Sequence, residues 1–278
     1  MSKLKIIQIT DTHLTPQGAV DANNQKVSPY QKLDNIVQSI AKMPNKPDLI
    51  VITGDLIHEG NEQDYQRLAK IIQEYQDFLE VPFQVIMGNH DRSKAFFSGY
   101  LKSEPQGKYY YSITAGKTDL YFLDSKFHDY EQGYIGQQQL SWLEDNLMNS
   151  KHDAVIFLHH PIDGPAIHQM RYSILQDGED LMRVVKDTSV KAIFSGHIHF
   201  ETSFERDNIL LHSADSSAYH INCDNDKIHY VYDATYYDVI TIDDGNVGVE
   251  TKCIYQSNEV ISHVDVEDTE FVDEDVFN

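Results

Sequence analysis

The sequence contains no apolar stretch that could cross a membrane. Hydrophobic residues make up 41% of its 278 positions, but they nowhere form the roughly 18 consecutive apolar residues that a spanning helix requires. The N-terminal segment also lacks the basic start, apolar run and small-residue cleavage site of a secretory signal. We therefore expect a cytoplasmic protein that does not associate with a membrane.

Cysteine is almost absent. The chain has only Cys223 and Cys253, which are too few for a zinc site built from thiolates. Without an export signal, both thiols are expected to stay reduced. We therefore predict neither a structural disulfide nor a metal site with cysteine ligands.

Positive charge is scarce as well. The chain has 22 Lys and Arg against 44 Asp and Glu, which gives a formal net charge of −22. Proteins that bind nucleic acid polymers neutralise backbone phosphates with basic side chains, so this balance argues against a nucleic acid polymer as a partner. Residues 265–278 include seven Asp or Glu and no Lys or Arg, and they are predicted to form a solvated acidic tail.

The first two thirds of the sequence alternate between short apolar runs and amphipathic stretches. Runs of strand length are followed by apolar residues at helical spacing. Buried strands are predicted over residues 5–10, 49–53, 83–87, 120–123, 154–158 and 190–194. From about residue 200 the helical pattern stops, and further strands are predicted, among them 239–242 and 247–254. We predict one domain over residues 1–264, with its C-terminal part rich in β-structure.

Five of these apolar runs are followed directly by Asp, His or Asn. The residues concerned are Asp11 and His13, Asp55, Asn89 with His90 and Asp91, His159, and His197 with His199. Strand ends and the loops beyond them share one edge of a sheet, which is where ligand sites form. Each motif alone also occurs in ordinary loops, but five in succession predict a single functional site.

The residue types at these strand ends suit metal ions. Imidazole, carboxylate and a neutral Asn oxygen are ligands for Zn, Mn and Fe. One ion takes about four protein ligands, so the candidates suit two ions that share a bridging ligand. Two ions roughly 3.5–4 Å apart can hold a hydroxide and stabilise the attacking and leaving oxygens of a displacement at phosphorus. They would also supply the positive charge that this chain lacks.

Together these motifs resemble the calcineurin-like metallophosphoesterases. The order Asp-x-His, Gly-Asp, Gly-Asn-His-Asp, His after an apolar strand, and Gly-His-x-His covers about residues 4–200, most of the chain. The resemblance implies an α/β fold, a four-layer α/β/β/α sandwich of two mixed sheets flanked by helices. It also implies a centre of two divalent or mixed-valence metal ions, of Fe, Mn, Zn or Co.

The resemblance further implies a role for each residue. The first ion would be bound by Asp11, His13 and His199, the second by Asn89, His159 and His197, and Asp55 would bridge the two. His90 would protonate the leaving oxygen, with Asp91 orienting its ring. The substrate phosphate would contact His13, Asp55, Asn89, His90 and His199. The nucleophile would be a hydroxide held by the metal ions.

Within the family, His159-His160-Pro161 and segment 175–178 are similar to the bacterial class III cyclic-nucleotide phosphodiesterases. This similarity implies that the chain hydrolyses a small phosphodiester, with 3′,5′-cyclic AMP as the favoured substrate and a glycerophosphodiester as an alternative. Ile162 replaces a proline that relatives often carry, and residues 212–238 show no pattern that can be aligned, so substrate preference stays open.

Three other activities and the oligomeric state also stay open. The chain could be a phosphomonoesterase or protein phosphatase, a nuclease, or a scaffold that keeps the fold without catalysis. The acidity of the chain weighs against the nuclease. A homo-oligomer is compatible with the sequence.

Some His and Tyr residues outside the motifs are expected to have structural roles. His160 is expected to point away from the ligands, and His58 is expected to lie in a surface loop. Tyr219 is expected to pack within a strand, because aromatic residues favour pleated, half-buried surfaces.

Overall fold

A computed structural model describes residues 3–167, 170, 173–225 and 227–266. Strands β1 to β12 are Leu4–Ile9, Leu49–Thr53, Phe83–Ile86, Tyr111–Ala115, Thr118–Phe122, Asp153–Phe157, Val190–Ser195, Thr202–Arg206, Ile209–Ser213, Tyr219–Asn222, Ile228–Asp243 and Asn246–Asp265. Helices α1 to α5 are Pro29–Ala41, Glu62–Leu79, Ser93–Phe96, Gln137–Asn149 and Gly178–Val185. A 3₁₀ turn, Ala22–Asn24, precedes α1, and a π-helical turn, Phe97–Leu101, continues α3. Most of the predicted acidic tail, from residue 267 onward, lies outside the described residues.

The strands form two mixed sheets of six strands each. The order in the first sheet is β10-β11-β1-β2-β3, with β12 paired to β11. Strands β1, β2 and β3 run parallel, and β11 is antiparallel to β1. The order in the second sheet is β4-β5-β6-β7-β9-β8, parallel from β5 to β9 and antiparallel at both edges. The predicted pair of mixed sheets is confirmed.

Side chains of the central strands alternate between two buried faces. In β2, Leu49 and Val51 join the core between the sheets, whereas Ile50 and Ile52 pack against α1 and α2. The side chains of β6 alternate in the same way, so that some join the inter-sheet core and the others pack against the layer of α4 and α5. Because both faces are buried, these strands read as continuous apolar runs. The predicted four-layer sandwich is therefore confirmed.

Helix α2 begins at a capping box between β2 and β3. The Asn61 side chain accepts hydrogen bonds from the backbone N–H groups of Gln63 and Asp64, and the Asp64 carboxylate accepts one from the backbone N–H of Asn61. These bonds satisfy helix N–H groups that have no partner within the helix.

In the described part of the chain, no helix is both long and apolar enough to span a membrane.

The C-terminal hairpin is longer than the sequence pattern indicates. The predicted strands 239–242 and 247–254 are parts of β11 and β12, which have 16 and 20 residues. The turn between them contains Asp244 and Gly245, both with positive φ, as tight hairpin turns require. The stretch 212–238, which shows no pattern that can be aligned in the sequence, contains the end of β9, all of β10 and most of β11.

A buried ion pair anchors α1 to β11. The Lys32 side chain, whose residue is 1% exposed, donates hydrogen bonds to the Asp233 carboxylate and the Ala218 carbonyl. A Lys32→Met variant would keep the apolar stem and leave the Asp233 charge without its cation. Because Asp233 also accepts hydrogen bonds from the backbone N–H groups of Lys26 and Val27, we expect the free energy of unfolding to fall by about 3 kcal/mol. Urea denaturation measures this loss.

An exposed ion pair provides the control for Lys32. Lys46 lies 2.7 Å from Glu80 on the surface, and exposed pairs contribute little to stability. A Lys46→Met variant should therefore unfold close to the wild-type urea midpoint. Equal losses in the Lys32 and Lys46 variants would contradict a special role for the buried pair.

Candidate metal centre

All seven predicted ligands lie together at one end of the sandwich. They follow β1, β2, β3, β6 and β7, whose C-terminal ends share one edge of the two sheets. They are Asp11, His13, Asp55, Asn89, His159, His197 and His199, and each is at most 8% exposed. Five loops that are remote in sequence therefore meet in one buried cluster.

Asp55 lies at the middle of this cluster. Its Oδ2 is 3.4 Å from His13 Nε2 and 3.4 Å from His159 Nε2. Its other oxygen, Oδ1, accepts a hydrogen bond of 2.9 Å from the backbone N–H of His90. One carboxylate oxygen is thus shared between two groups of ligand atoms.

The group on one side consists of Asp11, His13 and His199, whose ligand atoms lie within 4.8 Å of one another. His199 donates from Nδ1 to the Tyr219 carbonyl at 2.8 Å, so its Nε2 presents a lone pair when the ring is neutral. That Nε2 is 3.4 Å from Asp11 Oδ1 and 3.2 Å from His13 Nε2. Asp11 Oδ1 is buried and has no hydrogen-bond partner among the described residues.

The group on the other side consists of Asn89, His159 and His197. His159 donates from Nδ1 to the Thr53 carbonyl at 2.8 Å, and its Nε2 lies 3.0 Å from Asn89 Oδ1. The ring of His197 is 4.9 Å from that of His159, measured between centroids. His197 Nε2 is buried and lacks a hydrogen-bond partner in the part of the chain that the structure describes.

The backbone around the cluster is strained. Five of the candidate ligands have left-handed φ angles: Asp11 at 52°, His13 at 39°, Asp55 at 48°, His197 at 73° and His199 at 55°. Such a backbone is unfavourable for residues other than glycine, and it persists where the surrounding structure enforces it, typically at functional sites.

Glycines let the loops approach each other closely. A Cβ on Gly54, which has a φ of 96°, would overlap the His159 ring. A Cβ on Gly88 would overlap the Asp55 carboxylate and its backbone N. The two glycines therefore permit the contact between the loops that carry Asp55, Asn89 and His159.

Burial and mutual charge set the protonation of the cluster. Burial alone would raise the pKa of Asp55, but the neighbouring His159 and His90 hold it well below its usual value. Burial lowers the pKa of His197 to about 3 and that of His13 well below the ordinary value. Burial opposes charge on His159 too, yet Asp55 raises the pKa of His159 to about 9. The cluster thus offers an ionised Asp55 carboxylate and neutral imidazoles at His13 and His197, and it stabilises positive charge on His159 beside Asp55.

The residues fit a metal site. Carboxylate, imidazole and amide oxygen form a ligand set for divalent transition metals. The unpartnered Asp11 Oδ1 and His197 Nε2 are groups whose burial costs free energy unless they bind something. Cations held by the two groups of ligand atoms would satisfy both of them.

His90 and Asp91 differ in their surroundings. The half-buried His90 ring stacks on His58, with centroids 4.6 Å apart and planes at 27°. Asp91 is fully buried and accepts hydrogen bonds from the N–H groups of Gly88 and Leu56 and from the Tyr65 hydroxyl. The expected contact between Asp91 and the His90 ring is not among the hydrogen bonds of the described residues, because the carboxylate is engaged in fastening the two loops together. Burial and the Asp55 charge raise the pKa of Asp91 to about 6.

Three residues contribute to the cluster in ways that sequence patterns do not indicate. His58, predicted in a surface loop, is half-buried, and its Nδ1 lies 3.2 Å from His13 Nδ1. Tyr219 stacks on His13, and its hydroxyl is 3.4 Å from His13 Nε2. His160 bonds to Ser125 through Nδ1, yet its ring is also 4.5 Å from that of His197. Only His58 carries a local signal, because it lies four residues after Gly54 in the loop that carries Asp55.

A cavity of about 510 Å³ opens over the cluster. It is lined by Asp55, His90, His197 and His199 of the cluster, together with Tyr219. Its lining also includes the apolar residues Met170, Ile198, Ile221 and Val264. The volume and the mixed lining are typical of sites for small organic ligands.

The sequence is similar to bacterial phosphodiesterases. It is 29% identical over 225 residues to a probable glycerophosphodiester phosphodiesterase from Arcobacter nitrofigilis, covering 79% of this chain and 80% of that protein. It is 29% identical over 206 residues to a cAMP/cGMP dual specificity phosphodiesterase from Mycobacterium tuberculosis, covering 71% of this chain and 62% of that protein.

The fold is found in a solved phosphatase. The purple acid phosphatase PPD1 from yellow lupin seeds superposes with a TM-score of 0.59 at 13% identity, covering 98% of this chain and 53% of that one. At this identity the likeness concerns the fold. The model of the calcineurin-like phosphoesterase family matches residues 4–201, which include all seven candidate ligands. The chain therefore belongs to the calcineurin-like phosphoesterase family and is a metal-dependent phosphoric ester hydrolase.

Proposed function

We propose that this chain hydrolyses small phosphodiesters at a centre of two divalent metal ions, with 3′,5′-cyclic nucleotides, cyclic AMP first, as substrates. The observation that carries the proposal is the position of Asp55, whose Oδ2 lies 3.4 Å from the Nε2 atoms of both His13 and His159. A carboxylate between two sets of ligands suits a bridge between two ions.

The proposed ligands divide into two sets around Asp55. Asp11, His13 and His199 would hold the first ion, Asn89, His159 and His197 would hold the second, and Asp55 would belong to both sets. Two such cations would supply positive charge for the phosphoryl oxygens and would make water a stronger nucleophile. Sites with mixed oxygen and nitrogen ligands accept Mn, Fe, Zn or Co according to supply, so elemental analysis of the purified protein decides which metal is present.

His90 acts as the general acid in this proposal. Its ring lines the cavity beside the proposed ligands, within reach of a bound phosphate. As the P–O bond to the leaving group breaks and a water oxygen joins the phosphorus, His90 donates a proton to the leaving oxygen. The phosphate is expected to contact His13, Asp55, Asn89, His90 and His199.

The cavity supports a substrate with an apolar part. Its lining includes Ile198, Ile221 and Val264, and such apolar surface suits a nucleobase better than glycerol. The Mycobacterium relative is named for cAMP and cGMP, which agrees with this choice. The name of the Arcobacter relative supports a glycerophosphodiester as the second candidate.

Assays on phosphate esters test this proposal. We expect about two equivalents of divalent metal, and higher kcat/KM for bis(4-nitrophenyl) phosphate than for 4-nitrophenyl phosphate. We also expect hydrolysis of 3′,5′-cyclic AMP that exceeds hydrolysis of a glycerophosphodiester. A strong preference for the monoester would overturn the diesterase assignment, and a protein that stays inactive when loaded with Mn²⁺ or Fe²⁺ would favour the scaffold.

Three sequence-based expectations remain to be tested in solution. We propose a cytoplasmic location and a single domain over residues 1–264, and a homo-oligomer is compatible with the sequence. Cell fractionation, limited proteolysis and light scattering measure these properties in turn.

A further inference from the structure

The loop after β5 contacts Asn89 from two sides. Lys126 is buried and donates from Nζ to the Asn89 backbone carbonyl at 2.7 Å. Glu131 Oε2 accepts a hydrogen bond of 3.2 Å from Asn89 Nδ2. Because an Asn side chain has one donor end and one acceptor end, this bond leaves Oδ1 facing His159 Nε2, 3.0 Å away. Glu131 thus fixes which end of the amide faces the metal centre.

Glu131 also lines the cavity over the metal centre. None of the described residues that line this cavity is Lys or Arg, and Asp129 adds a second carboxylate. In an adjoining cavity of about 300 Å³, Arg92 is paired with Glu59 at 3.0 Å. A negatively charged substrate therefore approaches past carboxylates, and among the described lining residues no Lys or Arg offsets them.

The charge of the substrate decides how strongly these carboxylates act. A phosphodiester carries one negative charge at neutral pH, whereas a monoester carries nearly two, because its second pKa is about 6. Repulsion by a nearby carboxylate is proportional to the substrate charge. The carboxylate therefore disfavours the monoester more than the diester.

We infer that Glu131 is a specificity-determining residue, which excludes doubly charged monoesters in favour of diesters and positions the Asn89 amide. The inference rests on the proposed phosphodiesterase function and identifies a residue that restricts which phosphate esters are cleaved. The two effects use different properties of Glu131, its charge and its acceptor oxygen, so two variants separate them.

The Glu131→Gln variant removes the charge and keeps an oxygen that can accept from Asn89. With Mn²⁺-loaded protein, we expect the ratio of kcat/KM for bis(4-nitrophenyl) phosphate over 4-nitrophenyl phosphate to fall about fivefold to tenfold, mainly because the monoester is cleaved faster. Added salt should lower the same ratio in the wild type, because it screens the carboxylate, and should lower it less in the variant, which of these two carboxylates keeps only Asp129.

The Glu131→Ala variant removes the acceptor as well. We expect the metal-free protein to bind Mn²⁺ about tenfold more weakly than the wild type in a calorimetric titration, because residues that orient a ligand affect metal affinity by that order. The Glu131→Gln variant should lose clearly less of its Mn²⁺ affinity. Equal losses in both variants would overturn the positioning role.

Glu144→Gln is the matched control. Glu144 is exposed on α4, so this variant removes the same unit of charge away from the cavity and should keep the wild-type ratio. An unchanged ratio in Glu131→Gln, or an equal change in Glu144→Gln, would overturn the specificity role. A wild-type protein that, loaded with metal, cleaves no diester would instead refute the proposed function itself.

Discussion

An Asp55→Ala variant is expected to lose hydrolysis by at least about 10³-fold and to bind neither metal ion at stoichiometric levels. The reason is its shared position, with Oδ2 3.4 Å from both His13 Nε2 and His159 Nε2. Removing the carboxylate leaves each group of ligands one member short and removes the negative charge that stabilises a cation between them. A loss of metal catalysis worth several kcal/mol corresponds to this fall in rate. Elemental analysis and a diester assay on the same preparation measure both effects.

Asp55→Asn is the matched control for structure. Asp55 Oδ1 accepts from the backbone N–H of His90, and an Asn oxygen preserves this bond while the bridging charge is lost. We expect Asp55→Asn to unfold near the wild-type temperature and still to lose most of its metal. An Asp55→Ala protein that retains two equivalents of metal would contradict the bridging role.

The sequence predicted the central strands almost residue by residue. The runs 49–53 and 190–194 correspond to Leu49–Thr53 and Val190–Ser195. This accuracy has a physical cause: strands buried on both faces require unbroken apolar runs, and the polar residues of the site end those runs. Periodicity could not show that the strands belong to two stacked sheets, since both faces are apolar in either arrangement. That prediction came from the resemblance to a family.

The long hairpin of β11 and β12 could not be predicted to its full length. Its outer half mixes Tyr, His and Asp with apolar residues and has bulges near Val231 and Thr235, so the alternation of a strand is interrupted. The outer half of β11 is stabilised by pairing with β10 and β12, which are long-range partners that local sequence does not reveal. Tyr219, the first residue of β10, lies at the site because β10 pairs with this part of β11.

The candidate ligands were predictable because each follows a strand, whereas their supporting residues were not. His58 and Glu131 contact His13 and Asn89 only through tertiary folding. The left-handed backbone of His197, with a φ of 73°, could not be predicted from the sequence either, because even His, which adopts positive φ more often than most residues, does so only occasionally. Local patterns thus locate the groups that perform chemistry, and the fold determines what orients them.

A His90→Ala variant is expected to keep its metal and to lose about 10²–10⁴-fold in kcat toward 3′,5′-cyclic AMP. Both hydrogen bonds that tie His90 to its surroundings are made by its backbone: N–H donates to Asp55 Oδ1, and the carbonyl accepts from the N–H of Glu59. Truncating the ring therefore leaves these bonds in place and removes the proton donor together with its stacking contact to His58. Metal content measured beside kcat distinguishes this result from that of Asp55→Ala.

The leaving group provides the decisive comparison for His90. The ribose oxygen of a cyclic nucleotide is a strongly basic leaving group and needs a proton, whereas 4-nitrophenolate leaves readily without one. His90→Ala should therefore slow bis(4-nitrophenyl) phosphate far less than cyclic AMP, and His152→Ala, at a half-exposed histidine ahead of β6, should slow neither. Equal losses on both substrates would show that His90 binds or shapes the site without donating the proton. If His90→Ala lost its metal, the His90 ring would be assigned to the metal centre, because proton donation alone requires no contact with an ion.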